Sequence, residues 1–304
     1  MRQATVTYRE YAPCEALRET VSAFFSFVPA PKSAATGRLI AREVVFYAGE
    51  SFCSPLFASG HVSIVFSFPR SCRADGVWNS CSGESRSEAI GAMSAAGVTS
   101  LEERAEMIGA YLQAPPAQAL TGAPAIELTD RIVPLENLWG PAASELAAFL
   151  TGVEDEGARL QRLESAFRKR INAFPSSSVG IDVAGLATYV SHRHGRVAIE
   201  ELAQSAGVSR QHLRRVFCGR LGLTPKQYCR LTRFQAALAS TSYGDEIDWA
   251  QAAVQWGYAD QSHMIAEFRQ FSSLTPESLI RGRWFHPFVG RAPGVRNRQR
   301  FTRQ

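Results

Sequence analysis

The sequence predicts an α+β protein of two domains, β-rich in its N-terminal half and all-helical in its C-terminal third. Residues 39–49 and 61–68 have the composition of strands, and the apolar residues at every second position from Val62 to Phe68 share one face. The segment 174–180, FPSSSVG, has the composition of a flexible linker. After this linker, apolar residues recur at three- and four-residue spacing, which is typical of helices.

Composition places the chain among ordinary globular proteins. Of its 304 residues, 45% are apolar and 20% are charged, and the length suffices for two domains. The longest apolar run, near 62–68, has the length of a strand, so we expect no membrane span. Because the N-terminus, MRQATVTYREY, lacks the apolar core of a signal peptide, we expect a cytoplasmic location.

The net charge of +5 is unevenly distributed along the chain. Residues 180–304 carry 17 Lys and Arg against 9 Asp and Glu, whereas residues 1–179 carry 16 against 19. A basic C-terminal region beside a mildly acidic remainder favours nucleic-acid binding at one end of the chain. A basic surface that is merely solvated is the alternative, but it does not account for the segregation.

The six cysteines stand at positions 14, 53, 72, 81, 218 and 229. None forms a C-x2-C or C-x4-C pair, so we expect no zinc site and no other metal, and no motif points to a cofactor. We expect reduced thiols, some of them buried. A redox switch between Cys72 and Cys81 is an alternative.

The β-rich domain is predicted to span residues 1–130, with further strands at 90–98 and 106–113. Residues 69–88 are rich in Ser, Gly, Cys and Arg without a period, and are predicted to form a loop or a mobile insertion. Apolar residues at helical spacing then predict a helical connector over 131–173, which could serve in dimerisation.

Residues 199–217, IEELAQSAGVSRQHLRRVF, predict two helices joined by a tight turn. Gly207 supplies the left-handed backbone that ends the first helix, and Ser209 is placed to cap the second. In the second helix Leu213 and Phe217 point inward. The polar and basic residues at its start and on its other side are Arg210, Gln211, Arg214 and Arg215. A helix of this kind fits the major groove of DNA, so the pattern predicts a helix-turn-helix unit.

The same pattern returns about 50 residues later, in 249–268, WAQAAVQWGYADQSHMIAEF. Gly257 takes the place of Gly207, and the inward pair is now Met264 and Phe268. Each unit closes with Leu-Thr-Pro at the same distance from its Phe, a strong signal for the start of a further helix. An ordinary helical bundle with a chance repeat is the alternative, and the coincidence of three signals argues against it.

The two units, above all GYADQSHMIAEFRQFSSLTPESL at 257–279, resemble the DNA-binding domain of AraC/XylS-type transcription regulators. The resemblance covers residues 181–283 and implies a sequence-specific DNA-binding regulator that works with double-stranded DNA and RNA polymerase. Between the two units, Tyr228, Leu231, Phe234 and Leu238 recur at helical spacing and predict one long helix at 226–240 with these residues as its buried stripe. In the family, one monomer can then read two successive major grooves, about 34 Å apart.

By this resemblance, base contacts in the first unit fall on Gln211, Arg214 and Arg215. Arg210 stands at the start of the same helix. The bidentate donors of Arg suit guanine, and the amide of Gln suits adenine.

In the second unit the resemblance places Gln261, Ser262 and His263 at base-facing positions. Ala266 stands where the family often has a basic residue, and Glu267 beside it is expected to repel phosphate. Asp260 can cap this helix, and Arg269 is a candidate phosphate contact. We therefore predict that the first unit supplies most of the specificity, while the second mainly positions the protein.

Three further basic features allow two interpretations. Arg230 and Arg233 lie off the buried stripe of the joining helix, and they contact phosphates or are simply solvated. Residues 284–304 are predicted to be a basic, disordered tail, which adds salt-sensitive DNA affinity or takes no part.

The segments PLFASGHVSIVFSF (55–68) and ELTDRIVPLENLWG (127–140) look like the N-terminal sensing domains of some AraC-type regulators. Such domains are typically small cupin-like β-barrels, so this looser resemblance implies a small-molecule effector and allows a homodimer. Nothing identifies the effector. His61 is a candidate ligand contact, and a buried core histidine is the alternative.

Two other functions compete with an effector-gated regulator. Bacterial alkylation-repair proteins join AraC-type helices to a reactive cysteine in a Pro-Cys-His-Arg motif, but here Pro13-Cys14 is followed by Glu. No other catalytic motif occurs, so we expect no enzyme. A third interpretation keeps DNA binding and gives the N-terminal domain dimerisation alone.

Overall fold

The computed structural model describes residues 4–29, 40–48, 52–56, 58–68, 71–74, 77–80, 85–101, 106–113, 117–173, 180–240 and 247–281. The chain forms two compact units. The first comprises Met1–Ser54, His61–Ala92 and Val98–Val179; the second comprises Pro55–Gly60, Met93–Gly97 and Gly180–Gln304. Within the described residues, no helix has the length and apolar character that crossing a membrane requires.

The first unit is built on a seven-stranded antiparallel sheet with the order β11-β8-β5-β10-β2-β1-β3. Two further pairs, β4-β9 and β6-β7, form two-stranded sheets. The strands are β1 (Ala4–Tyr11), β2 (Val21–Pro29), β3 (Ile40–Ala48), β4 (Phe52–Leu56), β5 (Val62–Phe68), β6 (Ser71–Ala74), β7 (Val77–Ser80), β8 (Arg86–Ile90), β9 (Gly97–Leu101), β10 (Glu106–Leu112) and β11 (Ile132–Pro134). The antiparallel sheet agrees with the predicted β-rich N-terminal half.

Helices cover one face of this sheet. They are α1 (Ala117–Thr121), α2 (Ala125–Leu128), α3 (Glu136–Trp139), α4 (Pro141–Thr151) and α5 (Glu156–Ala173), and a 3-10 helix spans Glu15–Leu17. Val62, Ile64, Phe66 and Phe68 all lie in the core beneath them, as their alternation predicted. Phe167 of α5 packs against Phe24 of β2, with ring centroids 5.8 Å apart.

A buried charged cluster joins α5 to the sheet. Glu156, at the first position of α5, accepts hydrogen bonds from Arg9 Nη1 at 2.7 Å and from the Tyr11 hydroxyl at 2.6 Å. The Ser26 hydroxyl donates to the same carboxylate. One turn further along α5, Arg159 pairs with Glu106 of β10 at 2.9 Å. Because the charges are paired and hydrogen-bonded, their burial is tolerated and fixes the helix on the sheet.

The opposite face of the sheet carries aromatic rings. Since neighbouring strand residues point to opposite faces, Tyr8 and Phe25 lie away from the helix-covered core. The Phe25 and Tyr111 rings stack with centroids 4.4 Å apart, and Tyr8 packs on Phe27 at 4.8 Å. The Tyr8 hydroxyl donates to the buried carboxylate of Glu10.

Two sequence predictions in this unit are wrong. Residues 69–88 contain β6, β7 and part of β8 instead of a loop, because backbone pairing such as Ser71 with Ser80 needs no apolar period. Residues 90–98 are not one strand, since β8 ends at Ile90 and β9 begins at Gly97. Between them, Met93 N donates to Ser59 O at 2.8 Å, outside any sheet.

The second unit is helical. Its helices are α6 (Val183–His192), α7 (Ile199–Ser205), α8 (Arg210–Leu221), α9 (Pro225–Ser240), α10 (Trp249–Gln255), α11 (Gln261–Ser272) and α12 (Pro276–Arg281). The helix predicted at 226–240 is confirmed as α9. The predicted linker up to residue 179, the predicted tail 284–304 and the thiols of the proposed Cys72–Cys81 pair lie outside the described residues and side chains.

Candidate DNA-binding interface

The first helix-turn-helix unit consists of α7 and α8. Gly207 ends α7 with a φ of +65°, and the Ser209 hydroxyl caps α8 by accepting the His212 N–H at 3.2 Å. Leu213 and Phe217 are fully buried, as predicted. These contacts fix the direction in which α8 leaves the turn, and so decide which of its side chains face outward.

The outer face of α8 is polar and basic. The predicted contact residues Arg210, Gln211, Arg214 and Arg215 are all exposed. Arg210 pairs with Glu200, and both side chains of this pair are exposed. Hydrogen bonding within its own residue and to Arg210 lowers the pKa of the Glu200 carboxyl. A surface pair of this kind is weak, so Arg210 can exchange its partner for a phosphate.

The second unit, α10 and α11, repeats the first in its hydrogen bonds. Gly207 N and Val208 N donate to the carbonyls three and five residues before them, at 3.0 Å each. Gly257 N and Tyr258 N do the same at 3.0 and 2.9 Å. Asp260 caps α11 by accepting the His263 N–H at 2.8 Å, as predicted. The repeat seen in the sequence is therefore a repeat of backbone geometry.

The outer face of α11 differs from that of α8. The predicted residues Gln261, Ser262, His263 and Arg269 are exposed there, and so is Ala266. Arg269 is the basic residue that the structure leaves at the surface of this helix. The face is therefore polar but much less basic than that of α8, in keeping with the predicted inequality of the two units.

The joining helix α9 contacts both helix-turn-helix units. Phe217 of α8 meets Tyr228 edge-on, with ring centroids 6.2 Å apart. On the other side, Phe234 lies 5.0 Å from Phe268 and 5.4 Å from Phe271 of α11. Because all these rings are nearly or fully buried, α9 holds the two outer faces in a fixed relation.

A cleft of about 760 Å³ opens between the two helix-turn-helix units, within the second compact unit. The charged and polar side chains along it include Glu200, Arg210, Lys226, Arg230, Arg233, His263 and Glu267. The floor is α9, and exposed Lys226 lies in its first turn. Lys226 was not among the residues predicted from the sequence, although its place off the buried stripe of α9 was the available signal. Cations outnumber carboxylates here, so the cleft favours an anionic partner.

Two expectations about charges near this cleft change: Glu267 does not lie at the surface, and Arg230 and Arg233 are not simply solvated, while their contact with phosphate stays a prediction. Glu267 does not face a phosphate, because it is 1% exposed and its carboxylate accepts from Arg230 Nε at 2.5 Å. Arg230 therefore does not end in solvent. Arg233 is half-buried, donates to Gly195 O at 3.4 Å and lies over the Tyr258 ring. The partners come from elements that are distant in the chain, which the local sequence does not show.

Burial and neighbouring charge shift two titrating groups beneath the cleft. Burial raises the pKa of the Cys229 thiol to about 11. Burial, with the nearby charge of Glu267, raises the pKa of Tyr258 well above its usual range. Both groups therefore stay neutral at physiological pH and add nothing to the charge of the cleft.

In the part of the chain that the structure describes, no group of three or more His, Cys, Asp or Glu side chains is placed to hold a metal ion. His61, the candidate ligand contact, is buried just before β5.

The helical region is similar to a known protein family. Residues 202–282 match a protein family described as a helix-turn-helix domain. No curated protein matches the chain in sequence.

Among solved structures, the chain is similar to ToxT from Vibrio cholerae. The match to ToxT of strain O395 covers 81% of this chain and 94% of the ToxT chain, with 13% identity and a TM-score of 0.38. ToxT of strain SCE256 with bound unsaturated fatty acid covers 97% and 99%, with 12% identity and a TM-score of 0.38. A 1.65 Å structure covers 76% and 93%, with 12% identity and a TM-score of 0.39. A likeness of this degree does not indicate a function.

The matched family and the duplicated helix-turn-helix geometry define the class: a DNA-binding transcription regulator. Residues 202–282 form a helix-turn-helix domain of the AraC type, the family that the sequence motifs resemble.

Proposed function

We propose that this protein binds one specific DNA site, with α8 and α11 lying in two successive major grooves. The observation that carries this proposal is the pair of helices with the same turn hydrogen bonds, each exposing a polar face and both packed on α9. A protein that reads only one groove needs no such repeat. The proposed DNA-binding domain is 181–283, after the linker 174–180.

The first reader, α8, supplies most of the discrimination. Arg214 and Arg215 are exposed and present bidentate donors to guanine, while Gln211 suits adenine. Arg210 leaves its weak surface pair with Glu200 to meet a phosphate. Four exposed polar groups on one helix give this reader both register and base contacts.

The second reader, α11, acts mainly as a clamp. Gln261, Ser262 and His263 lie in its first turn, where helix-turn-helix proteins contact bases, and Arg269 meets a phosphate from its last turn. Lys226 in the cleft adds a further phosphate contact between the two grooves. Base discrimination in this half of the site is therefore expected to be lower.

The N-terminal half, with a proposed domain at 1–130 and a connector at 131–173, senses a small molecule. A sheet with one helix-covered face, and with aromatic rings around a buried carboxylate on the other, supports this role. Thermal-shift screening of the full chain tests it, because a ligand that binds only the folded state raises the unfolding temperature. If no compound in a broad set of metabolites raises this temperature, the result favours a domain that serves in dimerisation alone.

Three expectations complete the proposal. As a regulator, the protein acts in the cytoplasm, where its DNA is, and contacts RNA polymerase as the family resemblance implies. A homodimer is expected to form through the connector 131–173. Sedimentation analysis with and without DNA measures the stoichiometry.

Selection from a random duplex pool, with the full chain at two salt concentrations, tests the central proposal. Enrichment of two short motifs about one helical turn apart is the expected result. Binding without any enriched sequence, and lost steeply with salt, would mean that basic residues merely hold the phosphate backbone.

A further inference from the structure

A buried carboxylate lies directly beneath the second reader. Glu267 is 1% exposed although it sits on a helix whose neighbouring position, Ala266, faces solvent. One of its oxygens accepts from Arg230, and no described group pairs with the other. A buried carboxylate with an unpaired oxygen costs stability. Such a group calls for a functional explanation.

Glu267 also contacts a residue of the outer face of α11, His263. His263 Nε2 lies 3.4 Å from the Glu267 carboxylate, one turn along α11. The other ring nitrogen, Nδ1, accepts the Ala259 N–H at 3.4 Å. The ring is further held edge-on against Tyr258, with centroids 5.7 Å apart. Both imidazole nitrogens thus face the domain, whereas a hydrogen bond to a base needs one that faces the groove.

The same carboxylate belongs to a longer hydrogen-bonded chain. Arg230 of α9 donates from Nε to Glu267 and from Nη2 to Gln270 Oε1, the latter at 2.7 Å. The Gln270 carbonyl accepts the Ala96 N–H at 2.9 Å, within the same compact unit. The guanidinium therefore ties two successive turns of α11 to α9, and the rotation of α11 about its axis is fixed.

We propose that Glu267 is a positioning residue of the second reader. It holds the His263 ring and, through Arg230, sets the rotation of α11 at which Gln261 and Ser262 meet the bases. Although His263 lies in the first turn of α11 beside Gln261 and Ser262, both of its ring nitrogens are engaged within the domain, so it supports this arrangement and makes no hydrogen bond to a base. The inference rests on the proposed function, because it assigns roles within the second half of the same DNA site.

The test uses four variants of the full chain and a duplex library. The first half-site is fixed at the sequence selected by the wild type, and the second half-site is randomised. Glu267→Gln and His263→Ala remove the positioning contacts, whereas Gln261→Ala removes a proposed base contact. Glu200→Gln is the matched control, since it breaks a cleft Glu–Arg pair that is exposed and lies at the other reader.

We expect Gln261→Ala to change the preferred base at one position of the second half-site. Glu267→Gln and His263→Ala keep the preferred bases but weaken the second half-site about tenfold, the scale of one good base contact. Affinity for an isolated first half-site stays at the wild-type value, which a merely unfolded variant would not retain. Glu200→Gln leaves the second half-site as it is in the wild type.

Three results would overturn the positioning role: a changed base preference in His263→Ala, equal losses at both half-sites in Glu267→Gln, or no loss at all. If Glu267→Gln does not fold, the double variant Arg230→Met/Glu267→Met removes both charges together and takes its place. A wild-type protein that enriches no bipartite motif would instead refute the proposed function, and the positioning role with it.

Discussion

At the scale of single residues, buried charge has two different uses in this protein. Glu156 is the shared acceptor for Arg9, Tyr11 and Ser26, and it joins a helix to a sheet. Glu267 is incompletely paired and lies under a reading surface. A fully satisfied buried group stabilises a fold, whereas an incompletely satisfied one is retained for another reason.

Replacing Glu156 by Gln should destabilise the N-terminal unit by about 3–5 kcal/mol, because the buried guanidinium of Arg9 loses a charged partner. Urea unfolding followed by near-UV circular dichroism measures the change. Glu154→Gln is the matched control, since Glu154 is exposed two residues earlier and its loss should cost less than about 0.5 kcal/mol. Equal effects of the two substitutions would contradict the structural role of the cluster.

Cys229 predicts a dependence of stability on alkaline pH. Its thiol has a pKa near 11 in the folded state, raised by burial from an ordinary value of 9.0. The unfolded chain loses this proton first, so the stabilisation present below pH 9.0 is lost as the pH rises to about 11. The advantage of the wild type over Cys229→Ala should shrink by about 2 kcal/mol across this window, measured by urea unfolding. An unchanged difference would refute the raised pKa.

Specificity should depend more on Arg214 than on Gln261. Arg214→Ala removes a bidentate donor from the more basic reader, at a cost of about 1–3 kcal/mol in discrimination. Gln261→Ala removes a contact from the reader proposed to act as a clamp, so a smaller loss is expected. Titrations of both variants against the selected site and single-base variants of it measure the losses. The reverse order would refute the unequal roles of α8 and α11.

At the scale of elements, two glycines with similar backbone angles have different surroundings. Gly207 has a φ of +65° and no atom within 4 Å of an added Cβ, so Gly207→Ala should cost only backbone strain, about 1–2 kcal/mol. Gly195 has a φ of +71°, and an added Cβ would lie 2.0 Å from the Cys229 carbonyl oxygen. Gly195→Ala should therefore cost more than about 4 kcal/mol. Thermal unfolding of both variants measures these costs, and similar costs would contradict the close approach of Gly195, in the loop after α6, to α9.

The elements also show which features can be predicted from sequence. Ser209, Gly207 and Asp260 act within a few residues of their own position, so both helix-turn-helix units were predictable. The burial of Glu267 was not, because its partner Arg230 is 37 residues away. The hairpin of β6 and β7 was missed for a related reason. Its backbone pairing depends on the facing strand and leaves no apolar period in the sequence.

At the scale of the whole molecule, the helical unit is not made from the C-terminal third alone. The last carbonyls of α11 have no acceptor role within their own helix. Phe271 O accepts the Ala58 N–H and Gln270 O accepts the Ala96 N–H, both at 2.9 Å. These donors come from Pro55–Gly60 and Met93–Gly97, so a fragment that begins at residue 180 lacks part of the compact unit.

The uninterrupted helix α9 has a consequence for the architecture of the operator. Its 16 residues form a rod of about 24 Å that cannot lengthen. Inserting five base pairs between the half-sites rotates one to the far side of the duplex, and binding should fall to that of a single half-site. A ten-base-pair insertion restores the helical phase, and a flexibly tethered dimer would recover there. A rigid monomer would not recover its affinity. Gel-shift titration of the two insertions therefore distinguishes a rigid monomer from a flexibly tethered dimer.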